Sequence, residues 1–531
     1  MRKPEASRGD ASSRRLPLLP LLLLLLSCGG GREGGRAGAT VFYASGADLQ
    51  SINPLTTVHP LAKQVQKHVL LLTLASYDST LRPVPRLASW SWSADRTALR
   101  FTLRHDIRWH DGVPTTAADV AWTLGRAREP AVAYPRVADL ATIRAIDVAD
   151  SFDVVVRFAA PMPVFPDVFT DLAILPAHRF AGVPPAETRT APFNSDPVGN
   201  GPFAFVEHRP NQRWVFQRAP AFPADLGRPA FERLVVAVVD EPTTKLAALT
   251  SGELDFAGIN AAHAEFVRRD PRLEVIDYPI LLHYGVVFNL RRPPFDDARV
   301  RRALSRAMDR PLIIKAYLFG FGEPAAGPVS PGHPWYEPVP PVAFDPAGAA
   351  ALLDSAGWRR DEHGVRIRGT RRLAFDLLTV GSGDLALEQM LQAQWRAAGA
   401  EVRIRQLELA TFLDLAQGPA RDFDALITGI PGDLALSHVA AMYDGDGPLA
   451  YPGPESAALA GAFAGVRAAT DEPALIEAWH EVQRQLARDE PSAWIYHARG
   501  VQGKAKRIRD VRVDLRGELA GIAAWHVGVD R

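Results

Sequence analysis

Hydrophobic and polar side chains alternate over residues 99–103. Leu99, Phe101 and Leu103 are separated by polar residues, and a period of two is typical of a strand that buries one face. A second run with apolar residues at alternating positions, 87–92, lies just upstream. The two runs together predict a β-hairpin of half-buried strands.

Two segments of the first half carry helical signals. Residues 65–77 place apolar side chains such as Val69 and Leu72 at close to helical spacing, which predicts a helix. Further along, Thr116 is followed three residues later by Asp119, a pattern typical of a capping box. We therefore expect a second helix to begin there and to extend to about residue 126.

Helical and β-like segments alternate in the second half of the chain. The expected helices are Asp297–Met308, Pro311–Phe319, Pro346–Ala356 and Leu385–Ala398, and the expected strands are Leu373–Thr379, Val402–Leu407 and Phe423–Thr428. Such alternation indicates an α/β unit. This unit lies between a β-rich first half and a β-rich tail. The order predicts two lobes, with a chain that crosses between them twice, and the two crossings form a hinge beside a cleft. The fold class indicated is α/β.

The composition is that of an ordinary globular protein. Of its 531 residues, 47% are hydrophobic and 23% charged, and 60 Lys and Arg balance 60 Asp and Glu. Without net positive charge, the chain lacks the long-range field that attracts phosphate backbones. We therefore expect no nucleic-acid partner.

The N-terminal segment has the features of an export signal. Arg14 and Arg15 precede an 11-residue apolar run that contains two prolines, whereas a membrane-spanning helix needs about 20 apolar residues. We predict a signal peptide over residues 1–27. The paired arginines leave the general secretory and twin-arginine routes both open.

The only cysteine, Cys28, follows directly after this segment. The small residue Ser27 precedes it, as at a lipoprotein cleavage site, so we predict that Cys28 is acylated and anchors the protein to a membrane. The alternative is an incidental free cysteine. Residues 28–39 are glycine-rich and predict a flexible tether with a reach of about 18 Å. The protein would face the periplasm or the cell exterior.

Several sequence blocks, in a fixed order, match one known family across nearly the whole mature chain. They are Leu81–Trp92, Trp109–Gly112, Ala118–Val120, Gly199–Phe203, Phe288–Asn289, Pro294–Arg310, Asp345–Trp358 and Phe423–Asp424. This set resembles the solute-binding proteins of ABC importers in the oligopeptide, dipeptide and nickel group, bacterial extracellular family 5. Most of the matched residues are turn glycines and prolines or core tryptophans and leucines, and therefore indicate the fold better than the ligand.

The resemblance implies a two-lobed periplasmic-binding-protein fold of type II, with an extra inserted domain and a ligand cleft between the lobes. Lobe I would comprise 40–80, 200–288 and 496–531, the inserted domain 81–199 and lobe II 289–495. The function implied is that of a monomeric binding protein, without cofactor or enzymatic activity, which captures peptides and delivers them to an ABC permease.

The resemblance also implies site residues. In peptide-binding members, a segment after a strand supplies an aspartate for the peptide ammonium, and the matching stretch here runs from Gly429 to Asp433. The alternative is that Asp433 only caps the following helix. The sequence departs from the family at Ile430, where tryptophan is frequent, and at Pro431, which removes a backbone N–H.

Three further positions match segments that approach the ligand in family members: Val58, Pro60 and Arg136. Pro60 lacks a backbone donor, and Arg136 replaces an aromatic residue. Arg136 has two interpretations, a contact to a ligand carboxylate or a solvated position in a loop, and the loop is the more ordinary one.

Other functions have weaker support in the sequence. An enzyme is disfavoured because neither a G-x-S-x-G nor an H-E-x-x-H motif is present. The histidines considered for a metal or metal chelate lack ligand spacing and no metal site is expected: His59, His110, His333 and His438. A non-peptide solute such as a nickel chelate or sugar, and a ligand-sensing receptor without transport, stay open as alternatives.

Overall fold

The computed structural model describes residues 40–57, 59–381, 383, 385–418, 420–445, 449–453 and 456–528. The strands β1 to β22 are Thr40–Ser45, Ala75–Tyr77, Pro83–Pro85, Ala88–Trp92, Ala98–Leu103, Ile143–Val148, Asp153–Phe158, Phe203–Arg209, Arg213–Arg218, Arg233–Val238, Phe256–Gly258, Leu273–Phe288, Gly322–Pro324, Arg359–Arg360, Arg366–Arg368, Arg371–Arg372, Ala374–Val380, Glu401–Leu407, Ala425–Pro431, Ser492–Ala505, Ile508–Arg509 and His526–Val527. The helices α1 to α13 are Pro60–Val65, Ala117–Arg128, Val168–Asp171, Pro242–Ser251, Ala264–Arg269, Ala298–Arg306, Arg310–Ala316, Pro346–Ser355, Ala386–Ala398, Leu409–Gln417, Ser437–Tyr443, Ala457–Ala468 and Glu472–Asp489.

One mixed sheet, 11-stranded within the described residues, runs through both halves of the molecule. Its strand order is β18-β17-β19-β12-β20-β11-β1-β10-β9-β8, and β13 pairs with β20. We call the half with β8 to β11 and β1 lobe I, and the half with β17 to β19 lobe II. The long strands β12 and β20 belong to both halves, and their pairing shifts register between Pro279 and His283. The α/β architecture with two lobes is therefore confirmed.

The lobe II sheet is covered on both faces. Along β12, Val286 and Phe288 join one buried cluster that includes Trp395, whereas Val287 between them joins another that includes Trp479. Successive side chains of a strand point to opposite faces, so β12 contributes to both cores. This packing explains why the second-half strands are continuously apolar.

A smaller antiparallel sheet, β4-β5-β7-β6, packs with α2 on lobe I. The predicted hairpin is present, because β4 pairs with β5. The predicted capping box is also present: Asp119 accepts a hydrogen bond from the Thr116 N–H at 2.9 Å and α2 begins at Ala117. The cores of this sheet and of lobe I form one continuous cluster.

The helix predicted over residues 65–77 is wrong beyond residue 70. After α1 and one π-helical turn, the chain becomes extended, and Ala75–Tyr77 forms β2. Tertiary hydrogen bonds replace the helical ones: the Leu72 N–H donates to Asn200 Oδ1 at 2.9 Å, and the Leu70 carbonyl accepts from the Gly201 N–H at 2.8 Å. These partner residues lie more than 100 positions further along the chain, so the local spacing of apolar residues could not predict the bonds.

Candidate functional site

A cavity of about 720 Å³ lies between the lobes. Lobe I contributes residues around α1, β2 and α3, and lobe II contributes the segment from Pro431 to Leu434. Leu281, on the shared strand β12, also lines the cavity. Five cationic and four anionic side chains line it: Lys63, Lys67, Arg86, Arg136 and Arg516, with Asp78, Asp167, Asp171 and Asp433. Its volume lies within the range of about 300–1,000 Å³ typical of ligand sites.

Arg136 lies in this cavity and is surrounded by carboxylates. Its guanidinium contacts Asp139 at 2.5 Å, Asp171 at 2.6 Å and Asp167 at 3.0 Å. Burial alone would lower the pKa of Arg136, but these three charges raise it above its usual value. The solvated loop position considered from the sequence is therefore wrong, and the guanidinium is already held by the protein's own acids.

Asp171, at the end of α3, binds three cations. Lys63 and Lys67 approach it at 2.6 and 2.9 Å, in addition to Arg136. Burial would raise the pKa of Asp171, but Lys67, Lys63 and Arg136 together hold it well below its usual value. This ionic network ties α1 to the segments around residues 136 and 171, on the lobe I side of the cavity.

Asp433 lines the cavity from lobe II, two residues after β19 ends at Pro431. Its carboxylate accepts hydrogen bonds from the backbone N–H groups of Ala435, Ser437 and His438 at 3.0, 2.9 and 3.1 Å. Burial would raise the pKa of Asp433, but the bonds from His438 and Ser437 lower it below its usual value. Asp433 thus holds the turn before α11 in place, and 27% of its side chain remains exposed.

Asp139 is a further carboxylate beside Arg136, which it contacts at 2.5 Å. The pKa of Asp139 is raised, mainly by burial, and the charges of Asp167 and Asp433 add to this effect although Arg136 opposes it. Asp139 itself does not line the cavity.

The other residues singled out from the sequence lie elsewhere. Pro60 is exposed and opens α1, the helix that carries Lys63. Gly429 lies within β19 under the Tyr284 ring, where an added Cβ would come within 2.7 Å of it. Neither lines the cavity. Cys28 and Val58 lie outside the described residues.

The structure also brings together four histidines that the sequence reasoning did not connect: His283, His333, His438 and His497. They surround a void of about 10 Å³ next to Asp433. The ring centroids of His283 and His497 are 6.3 Å apart, on the paired strands β12 and β20. Only the strand register, which the sequence does not show, makes these two residues neighbours.

Burial favours the neutral form of three of these histidines. It lowers the pKa of His333 and of His497 to about 4, and it also holds the pKa of His283 well below its usual value. Among the described residues, no group of three or more histidine, cysteine, aspartate or glutamate side chains has an arrangement able to hold a metal ion. In the same part of the chain, no helix has both the length and the apolar content of a membrane span.

Comparison with known proteins gives one consistent result. The family model of bacterial extracellular solute-binding proteins, family 5 Middle, matches residues 82–446. The oligopeptide-binding protein AppA of Bacillus subtilis is 23% identical over 437 residues, which cover 80% of this chain and 79% of AppA.

Solved structures show the same fold. AppA of Bacillus subtilis in complex with a nonapeptide superimposes with a TM-score of 0.74 at 21% identity, covering 93% of this chain and 99% of AppA. NikA of Brucella suis in complex with Fe(III)-EDTA superimposes with a TM-score of 0.81 at 19% identity, covering 92% and 99%. The two-lobed periplasmic-binding-protein fold is thereby confirmed, and the chain belongs to the bacterial extracellular solute-binding proteins, family 5.

Proposed function

We propose that this protein captures peptides in the cleft between its lobes and delivers them to an ABC permease as a monomer. AppA, which is similar over most of the chain and has been solved with a nonapeptide, supports this ligand class. We further propose that acylated Cys28 anchors the protein to a membrane, with residues 28–39 as tether. The match to a solute-binding family supports export and gives no support to an enzyme.

The proposed domains are those expected from the resemblance. Lobe I takes 40–80, 200–288 and 496–531, with 81–199 as its inserted domain, and lobe II takes 289–495. In this proposal the ligand contacts both lobes at once and favours the closed state through those differential contacts. The long strands β12 and β20, which join both halves of the sheet, are the connections about which the lobes would move.

The observation that carries the proposal is the Asp433 carboxylate, which lines the interlobe cavity from lobe II and keeps 27% of its side chain exposed. A ligand ammonium bound there would form a charge-assisted hydrogen bond with it. Three backbone N–H groups and the His438 ring, whose Nδ1 lies 3.1 Å from Oδ2, already contact the Asp433 carboxylate. A carboxylate has about four acceptor positions, so a ligand ammonium would take the place of the His438 ring at Oδ2.

A matched pair of substitutions tests this anchor. Asp433→Asn keeps an oxygen for the capping bonds and removes the charge, whereas Asp433→Ala removes both. We expect Asp433→Asn to lower peptide affinity about 10- to 100-fold, as for loss of a hydrogen bond to a charged group, with a smaller loss of stability than Asp433→Ala. Calorimetric titration and urea unfolding measure the two effects.

The peptide itself supplies the control. Peptides acetylated at the N-terminus lack the ammonium, so they should bind wild-type protein weakly and be indifferent to Asp433→Asn. If acetylated and free peptides bind wild-type protein equally well, Asp433 is not the ammonium anchor. Native mass spectrometry of protein purified from its own host identifies the natural ligand, and a co-purified metal chelate or sugar in place of peptides would overturn the ligand class.

A further inference from the structure

Arg86 differs from the other cationic residues of the cavity in having no acidic partner. Lys63 and Lys67 are paired with Asp171, Arg136 is paired with three carboxylates, and Arg516 contacts Asp514 at 2.7 Å. Arg86 forms no ion pair with any carboxylate in the described part of the chain. Within the described residues, one cation of the cleft is therefore left without an ion pair.

The position of Arg86 is nevertheless well defined. It follows β3, its backbone N–H donates to the Leu74 carbonyl at 3.3 Å, and its guanidinium donates from Nη1 to the Leu226 carbonyl at 2.6 Å. The guanidinium carbon also lies 5.8 Å from the centre of the Phe222 ring. These contacts fix one edge of the guanidinium fork and require no acid.

Its surroundings are unfavourable for an isolated cation. Burial, followed by the charge of Arg104, lowers the pKa of Arg86 to about 10. Asp225 acts in the opposite direction, but its carboxylate is already paired with Arg104 at 2.6 Å. A buried charge without a partner is costly to a fold, and an anionic ligand group would remove that cost.

A second feature lies in the lining of the same cavity. The Nε2 atom of His68 is buried and lacks a hydrogen-bond partner among the described residues. His68 lines the cavity together with Lys67, Arg86 and Arg516. Burial and then the charges of these three cations hold the pKa of His68 well below its usual value. A ligand oxygen bound here would meet a guanidinium and an imidazole together.

We infer that Arg86 and His68 form an anion-binding subsite for a carboxylate of the bound solute. This subsite lies on the lobe I side, whereas Asp433 reaches the same cavity from lobe II. The inference rests on the proposed function in one respect: with Asp433 as the ammonium anchor, the ligand is a zwitterion whose two charged ends contact different lobes. A peptide with both termini free has this chemistry.

The test compares capture of free-acid and amide peptides, and its first arm needs no variant. The protein is first stripped of ligand by unfolding and refolding. It is then offered peptides of two to nine residues, as an equimolar mixture of free acids and C-terminal amides. Native mass spectrometry then measures the ratio captured. We expect free acids to be enriched about 10- to 100-fold, because a charge-assisted bond is lost in the amide.

Variants test whether Arg86 causes this preference for free acids. Arg86→Gln should abolish the preference for free acids, and Arg86→Lys, which keeps the charge but not the fork, should retain part of it. Arg100→Gln is the matched control, since Arg100 lies half exposed on β5 outside the cavity. It should leave the preference unchanged.

The outcomes separate this subsite from the peptide proposal. Equal capture of acids and amides by wild-type protein overturns the subsite and leaves peptide binding standing. If no peptide is captured but citrate raises the thermal midpoint of wild-type protein and not of Arg86→Gln, the subsite is supported and the peptide proposal is overturned. If neither peptides nor citrate bind, both are overturned.

Discussion

The two arginines of the cleft occupy opposite electrostatic situations. Arg136 is held by three carboxylates of the protein itself, whereas Arg86 is bonded to a carbonyl and has no ion pair in the described residues. The first is a structural element of the lobe I wall, and the second is available to a ligand. Their difference shows that lining a cleft does not by itself make a cation a binding residue.

The largest effect should come from removing the centre of the paired network. Asp171→Ala leaves Lys63, Lys67 and Arg136 with fewer counter-charges in a partly buried place, so we expect a loss of about 3–5 kcal/mol in the free energy of unfolding. Asp147→Ala is the control, because Asp147 pairs with Arg157 at 2.6 Å but half of its side chain is exposed. Its cost should stay below about 1 kcal/mol. Equal effects of the two substitutions in urea unfolding would contradict the network.

Replacing Arg136 or Arg86 by methionine should change the free energy of unfolding in opposite directions. Arg136→Met leaves acids without a partner and should lower the free energy of unfolding by about 3 kcal/mol. Arg86→Met removes an unpaired buried cation and breaks one bond to Leu226, so stability without ligand should change by only about 0–1 kcal/mol, in the favourable direction. Urea unfolding of ligand-stripped protein measures both. A loss above about 2 kcal/mol for Arg86→Met would show that Arg86 supports the fold.

The elements that carry local signals were predictable from the sequence. The capping box before α2, the hairpin of β4 and β5 and the alternating unit of lobe II all follow from spacing within a few residues. The helix expected over 65–77 failed because Asn200 and Gly201 take over the backbone bonds of Leu70 and Leu72. Such partners are set by tertiary packing, which no local period encodes.

The site was predictable only where family resemblance reached it. Asp433 and Arg136 were selected in this way, and the structure places both in the cleft. Arg86 carries no motif, and its distinguishing property is a missing partner, which becomes visible only after every neighbour is placed. The pairing of His283 with His497 likewise depends on strand register. Sequence therefore indicated the fold and one residue on each wall of the cleft.

The smallest effect concerns pH and distinguishes His68 from Asp171 by the pH range in which each loses its contribution to stability. Folding keeps His68 neutral, with its pKa well below 6.5, whereas the unfolded chain protonates it below about pH 6.5. Stability should therefore fall as pH decreases below about 6.5, by about 1.4 kcal/mol per pH unit for each such histidine. Asp171 has a lowered pKa in the folded state, so its contribution is present above about pH 4 and is lost only below that value. His68→Gln should reduce the slope of the unfolding free energy against pH between pH 6 and 5 by about 1.4 kcal/mol per unit. Asp171→Asn should leave that slope unchanged. The reverse pattern would contradict the assignment of His68 to a buried, cationic part of the cleft.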